Sequence, residues 1–424
     1  MAFGNDTVKF NVNSANVLEI LSPKSVTSSR SPQQLISEVL NFPIAIKRLE
    51  KLFQKPQKTV IIIPDKTRNC GANIILPILI NYLNGLGVRD SDIKVILAMG
   101  SHAPHTPHAI EKIVGNAIIK RIEIIEHNCH NLRDLVYLGK TKFGTPIYIN
   151  QHVVNAERLI ILGTAVHHYF AGYGGGPKMI NPGCAGYETI TKNHALTIDA
   201  ETGTIHPGCQ AGVLKGNPVQ EDIKDSLRFI DADFLIETIF NADGEIVEAV
   251  GGDLIAAHHK ACSTVDALYK VDIHEKADLV VVSCGGYPKD INLIQAHKSL
   301  NNAFYSVKEG GVILILAECR DGIGSQTFLD WFQYADEAAF HHDLKLHYKL
   351  NGTTALSLKM KTRAVKIIFI SKLPGELVTH LGMVPASSFA EGWKLACSHL
   401  PERFKCYVIP NGSLTLPTLN AYVD

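Results

Sequence analysis

RLIILGTAVHHYFAGYGGGPKMINPGCAGYETITKNHA, residues Arg158 to Ala195, runs from an unbroken apolar segment into two adjacent histidines, a glycine-rich turn, a lysine and a third histidine. Its opening, RLIILGTA, is short, apolar and branched, which predicts a buried strand ending between Gly163 and His168. Gly172, Gly174, Gly175 and Gly176 lack a Cβ, so the backbone there can take positive φ and approach a bulky group closely. Successive free N–H groups in such a turn form an anion nest. Two nucleotide fingerprints fail here. A Walker A loop needs Gly-Lys-Ser/Thr, but Lys178 stands between Pro177 and Met179, and a GxGxxG starting at Gly172 would need glycine in place of Pro177.

Working outward, the same arrangement recurs. KTVIIIPDKTRN gives a buried strand (Thr59 to Ile63) that runs into Asp65 and Arg68, and DIKVILAMGSH gives another that ends at Gly100, Ser101 and His102. Predicted helices separate them: one capped by Ser31 and running from SPQQLISEVL to KRLEKLF, one over NIILPILINYLNGLG, and one from about His108 to Lys120. A strand RIEIIEHN and a hairpin over LVYLGKTKFGTPIYI follow. Apolar strands that each end in reactive residues predict an α/β fold with mostly parallel sheets flanked by helices, its chemistry along the carboxyl edge. That edge collects Asp65, Arg68, His102, His168 and Lys178.

Beyond a predicted helix from Tyr187 to Ala195 come a helix to about Phe229, the hairpin FLIETIFNADGEIVEAV and a helix from Leu254 to Tyr269. Alternation then restarts with a strand at Leu279 to Ser283, a helix at Ile294 to Val307, a strand VILILAE, a helix near Gln326 to Ala339 and a strand VKIIFIS. A chain of 424 residues exceeds the roughly 250 to 300 residues at which one core stops growing, so two domains are expected. We place them at 1–270 and 271–395, with 396–424 as a returning tail of either domain. The cleft between them is the expected active site.

Lysine plus arginine equal aspartate plus glutamate at 41 each, leaving no net field to attract nucleic acid or an anionic membrane, so a small-molecule partner is expected. MAFGNDTVKF has no signal-peptide pattern and no apolar run approaches the ~18 residues of a spanning helix, which predicts a cytoplasmic protein. The nine cysteines are scattered without a CxxC, arguing for reduced thiols and against a structural zinc or iron–sulfur site. Cys184, the one cysteine in the central stretch, reads as a small apolar filler.

Residue types leave several roles open. Lys178 suits a covalent attachment point, or a simple partner for a phosphate or carboxylate. His194, alone on its helix, reads first as a structural histidine, and His167 or His168 opposite it would add weight to a metal role. Gln295 and Lys298 share a helix face, solvated or facing a ligand.

The order HHYFAGYGGGPK, PGCAGYETI, NHA, with PDKTR upstream and GGYPKDINLIQAHK downstream, resembles the nickel-dependent lactate racemase family of 2-hydroxyacid racemases and epimerases. The matching pieces span about half the chain, from Pro64 to Lys298. The resemblance implies a nickel-pincer nucleotide (pyridinium-3-thioamide-5-thiocarboxylate mononucleotide) covalently attached to Lys178, nickel completed by His194, and maturation proteins that deliver the cofactor. It further implies His102 and His168 as the two acid/bases, with His167, His105 and His108 as rivals. Arg68, Gln295 and Lys298 would hold the substrate carboxylate, Asp65 the cofactor ribose, and Gly172, Gly174, Gly175 and Gly176 the nucleotide phosphate.

Inverting carbon 2 of a 2-hydroxy acid suits such a cofactor. Its hydrogen is hardly acidic beside an ionised carboxylate, and removal as hydride needs an acceptor that no side chain provides. His167 beside His168 and Asn69 after Arg68 depart from the family pattern and leave the substrate open, sugar acids included, with Tyr169 and Phe170 as candidate pocket walls. Two other readings remain: a zinc-dependent lyase or hydrolase using His168 and His194, and a non-catalytic protein that binds small anions.

Overall fold

The computed structural model describes residues 1–12, 16–334 and 336–420. The chain folds as two compact units that do not follow chain order. One comprises Ser25–Leu196 and Gly208–Asp266, and the other Met1–Lys24, Thr197–Pro207 and Ala267–Asp424.

The first unit is built on a six-stranded sheet in the order Ile246–Gly252, Phe234–Phe240, Arg158–Thr164, Thr59–Pro64, Ile93–Ala98, Glu123–Glu126. All neighbours are parallel except the Ile246–Gly252 edge strand, which returns as a hairpin. Ile61 lies opposite both Val95 and Ile160, and Ile61, Ile62, Ile63, Ile160, Ile161 and Leu162 have no exposure. A sheet covered on both faces explains why these strands read as continuous apolar runs. Chain order reverses between the Arg158–Thr164 and Thr59–Pro64 strands, so the crevice beyond their carboxyl ends is the topological switch point of this sheet.

Local signals set the helix ends. Ser31 accepts the Gln34 N–H, and the Gln34 side chain accepts the Ser31 N–H in return, closing a capping box at the start of Pro32–Asn41. The expected continuous helix to Phe53 is instead two pieces, Pro32–Asn41 and Leu49–Leu52, because Pro43 turns Phe42 away from the helical region. The expected helix from His108 to Lys120 likewise breaks into Pro107–Val114 and Asn116–Ile119 at Gly115, whose φ is +87°.

The second unit holds another six-stranded sheet, wholly parallel, in the order Val384–Ala386, Lys366–Ile370, Val307–Leu316, Ala277–Ser283, Cys406–Ile409, Val17–Ile20. Val280 and Val282 pack into one core with Ile313, Phe328, Trp331 and Leu356, while Leu279 and Val281 pack into another with Leu314, Leu316 and Ile368. The tail contributes its Cys406–Ile409 strand to this sheet, and the chain's first residues contribute Val17–Ile20 at the edge. The region expected as one helix near Gln326 to Ala339 holds Gln326–Asp330 and Glu337–Leu346. No helix among the described residues is long and apolar enough to cross a membrane.

Candidate active site

Three adjacent strands of the first unit, Arg158–Thr164, Thr59–Pro64 and Ile93–Ala98, end in the segments that carry the candidate residues. Asp65 follows the middle strand directly and is 2 % exposed. His102 Nδ1 donates to Asp65 Oδ2 at 2.5 Å. Asp65 Oδ1 takes the Thr67 N–H at 3.1 Å and the Thr67 hydroxyl at 2.6 Å. Burial alone would raise this carboxyl, but the hydrogen bond and charge of His102, the Arg68 guanidinium and the Thr67 hydroxyl outweigh it and hold the group well below the usual carboxylate range. Both Asp65 oxygens are therefore engaged within the protein, Oδ1 by Thr67 and Oδ2 by His102.

The rivals of His102 lie elsewhere. His105 bonds Glu126 through both its backbone N–H, at 2.8 Å, and Nδ1, at 2.7 Å, and its Nε2 accepts the Lys66 N–H. His108 is exposed on the Pro107–Val114 helix.

After the Arg158–Thr164 strand the chain makes a small antiparallel hairpin, Val166–His168 against Gly172–Gly174. Alternation along it sends the two histidines to opposite faces. His167 Nε2 donates to Asp266 Oδ1 at 2.8 Å, and the Tyr173 hydroxyl donates to the same oxygen at 2.7 Å. His168 is packed between Tyr169 and Phe170, with ring centroids 5.3 and 4.5 Å away, and its Nδ1 accepts the Ala171 N–H. The unexpected histidine thus belongs to an Asp266–Tyr173 cluster, and His168 lies against Phe170 instead. Asn69 accepts the Gly71 N–H in a local turn.

Phe170 joins the remaining residues. Its ring lies 4.5 Å from the His168 ring, 5.1 Å from the His194 ring and 5.5 Å from Lys178 Nζ. Lys178 is 9 % exposed in a single 3-10 turn, Gly176–Met179, and His194 comes back on the Tyr187–Ala195 helix. Burial, then the charge of Lys178 and more weakly of Arg68, pushes the His194 imidazole down to about 3, against a backbone hydrogen bond at Ile190. A histidine held neutral is in the form that binds a metal. Arg68 Nε lies 3.9 Å from the Cβ position of Gly174, which sets the guanidinium beside the glycine turn.

The glycines themselves are needed for packing. At Gly172, φ +72°, a Cβ would stand 2.1 Å from Val213 O, and at Gly175, φ +85°, it would stand 2.0 Å from Glu237 Oε1. Gly176 donates its N–H to Glu237 Oε1 at 2.7 Å. That amide is taken up within the protein, so the anion nest expected over Gly172 to Gly176 is at most partial. Cys184 is fully buried, and burial pushes its thiol up, in keeping with a filler role.

Gln295 and Lys298 belong to the other unit, on its Leu293–Phe304 helix, where Lys298 Nζ donates to Gln295 Oε1 at 2.6 Å. They share one face, as their spacing requires. Among the described residues no group of three or more His, Cys, Asp or Glu is arranged to hold a metal ion. A zinc hydrolase needs three protein donors, so this donor set does not serve that reading. One neutral histidine beside a buried lysine does fit a metal whose other donors arrive with a lysine-tethered group.

Comparison with known proteins places the chain in a family. The domain family described as Lactate racemase N-terminal domain matches residues 3–205, and Lactate racemase C-terminal domain matches residues 273–416. A lactate racemase of Lactiplantibacillus plantarum is 30% identical over 388 residues, covering 90% of each chain. One of Thermoanaerobacterium thermosaccharolyticum is 28% identical over 418 residues, covering 97% of this chain and 96% of that protein. The solved lactate racemase apoprotein of the latter organism superposes with a TM-score of 0.89 over 98% of this chain and 99% of its own. A Thermotoga maritima protein, 18% identical, covers 88% of this chain and 96% of its own with a TM-score of 0.66, a likeness of fold alone. The chain therefore belongs to the lactate racemase family of 2-hydroxyacid racemases and epimerases.

Proposed function

We propose that this chain inverts carbon 2 of a 2-hydroxy acid, using a nickel-pincer nucleotide tethered at Lys178, with His102 and His168 moving the hydroxyl proton. The observation that carries this reading is the grouping of His168, Lys178 and His194 around Phe170, at the switch point of the sheet. When bound, the group supplies the hydride acceptor and donor that side chains lack. Lys178 would tether it and the neutral His194 would bind its metal.

The chain's own residues supply the proton chemistry. With Nδ1–H tied to the Asp65 carboxylate, His102 presents its Nε2 lone pair as the base for a substrate hydroxyl. Asp65 is thus the positioning residue of His102. His168 is oriented by a backbone amide and two aromatic rings, so the two acid/bases are supported by different means. Arg68, beside the glycine turn, suits bidentate recognition of the substrate carboxylate. Gln295 and Lys298 are kept as substrate contacts on the family resemblance.

The test is intact mass with metal analysis on chain co-produced with the cofactor-maturation proteins, followed by a screen of 2-hydroxy acids for inversion. A covalent adduct that vanishes in Lys178→Ala, with about one nickel per chain, is the expected result. An unmodified chain that holds zinc would overturn the reading.

A further inference from the structure

The turn that carries Lys178 is gripped from the sheet by a buried carboxylate. Glu237 lies in the middle of the Phe234–Phe240 strand with no exposure. Its Oε1 accepts the Gly176 N–H at 2.7 Å and its Oε2 faces His258 Nδ1 at 2.8 Å. Both groups fill volume that the glycines leave open. A Cβ on Gly175 would be 2.0 Å from Glu237 Oε1, and one on Gly176 would be 2.4 Å from His258 Cγ. One helical turn beyond His258, Cys262 Sγ lies 3.5 Å from its Nε2.

We infer that Glu237, with His258 as its counter-ion, is the positioning residue of the Lys178 turn. The inference rests on the reading of Lys178 as the reactive lysine. An ion pair is an expensive way to join a strand to a helix, since both charges must be taken out of water and an apolar pair of similar volume often does as well or better. What an apolar pair lacks is an acceptor for the Gly176 N–H, two residues before Lys178 in a turn with φ of +85° and +49° at successive positions. Burial works against the charged form of His258, yet the Glu237 charge and the bonds to Cys262 and Glu237 hold its imidazole well above the ordinary range. Pro177, Tyr173, His258 and Cys262 line a cavity of about 930 Å³, which leaves the turn room to relax once the grip is lost.

The test uses the full chain without cofactor. Lysines are labelled with a small acetylating reagent, and the label at Lys178 is read by peptide mass spectrometry against the exposed Lys112. In Glu237→Ala the Lys178 to Lys112 ratio should rise at least tenfold. In Glu237→Gln it should stay within about threefold of wild type, because the amide oxygen still accepts the Gly176 N–H while its NH2 donates to a neutral His258. A folded Glu237→Ala chain whose ratio stays within twofold of wild type overturns the proposal, as does a Gln variant that behaves like the Ala variant. Where Glu237→Ala does not fold, Glu237→Met, which keeps the length of the side chain and lacks the carboxylate acceptor for the Gly176 N–H, is judged by the same labelling ratio, and no change there overturns the proposal equally. Intact mass after co-production with the maturation proteins is read separately. A wild-type chain that never gains an adduct refutes the tether, whereas the labelling ratio judges the grip on the turn alone.

Discussion

Replacing Asp65 with Asn keeps the size of the side chain and removes the acceptor that sets the tautomer of His102. Asp65 Oδ1 already serves two donors of Thr67, so the asparagine oxygen is best used there, which turns its NH2 toward His102 Nδ1. Nδ1 must then accept, the ring proton moves to Nε2, and on the proposed reading of His102 as a base its nitrogen would face the substrate with no lone pair. The analogous change in a serine protease triad costs about 10⁴ in kcat. His102 is 43% exposed, so water can partly restore the productive tautomer, and a loss of about 10² to 10³, or roughly 3–4 kcal/mol of barrier, is expected here. Because no mutation changes the equilibrium constant between the two configurations at carbon 2, kcat/KM must fall by the same factor in both directions, and the deficit should lie mainly in kcat. The assay is inversion of each enantiomer by cofactor-loaded enzyme, followed by chiral chromatography, with near-UV circular dichroism to confirm the fold. Retention of kcat/KM within threefold in a loaded, folded Asp65→Asn enzyme would refute the positioning role.

His102→Ala and His168→Ala should each keep the adduct and lose turnover, whereas Lys178→Ala should lose both, all read by intact mass and the inversion assay. His194→Ala should retain the adduct mass and lose nickel; full nickel occupancy would remove the ligand assignment. Gly175→Ala forces a Cβ to within 2.0 Å of Glu237 Oε1 and 2.5 Å of Thr164 O at a φ of +85°, and should cost about 2–4 kcal/mol in urea unfolding. Lys361 of the second unit is buried, which lowers its amine to about 7, while an unfolded lysine titrates near 10.4. Between those values the unfolded chain alone holds the proton, so stability should rise with pH across that window. Lys361→Met should abolish the rise and stabilise the chain most at pH 7 and below; a thermal unfolding series from pH 6 to 10 that shows no difference in slope would contradict it.

The strands were legible because each is a run of branched apolar residues, the composition demanded by a sheet covered on both faces, and Thr59–Pro64, Ile93–Ala98 and Arg158–Thr164 fall where those runs fall. Ser31 marked a helix start for an equally local reason, a reciprocal bond to Gln34 three residues on. Helix ends were harder. Pro43 and Gly115 interrupt segments whose apolar spacing continues past them, and Gly352–Ala364 has no marked apolar face because so much of it is buried. The family signature, too, lives in contiguous residues, which is why HHYFAGYGGGPK and NHA could be recognised in the chain alone.

Partners far apart in the chain were not legible. The sequence by itself determined the α/β class, the strands that end in reactive residues, and the lysine and histidines that the family pattern requires, since all of these are written in local composition and order. Only the tertiary structure decided that His102 leans on Asp65, 37 residues away, that His167 turns to Asp266 while His168 turns to Phe170, and that Glu237 and His258 grip the glycine turn. It also decided that the first 24 residues join the C-terminal unit. The physical reason is common to all four. A hydrogen bond or a strand pairing needs matching groups a few ångströms apart, and which distant groups meet is settled by how the sheets and helices pack, not by any residue's own propensity.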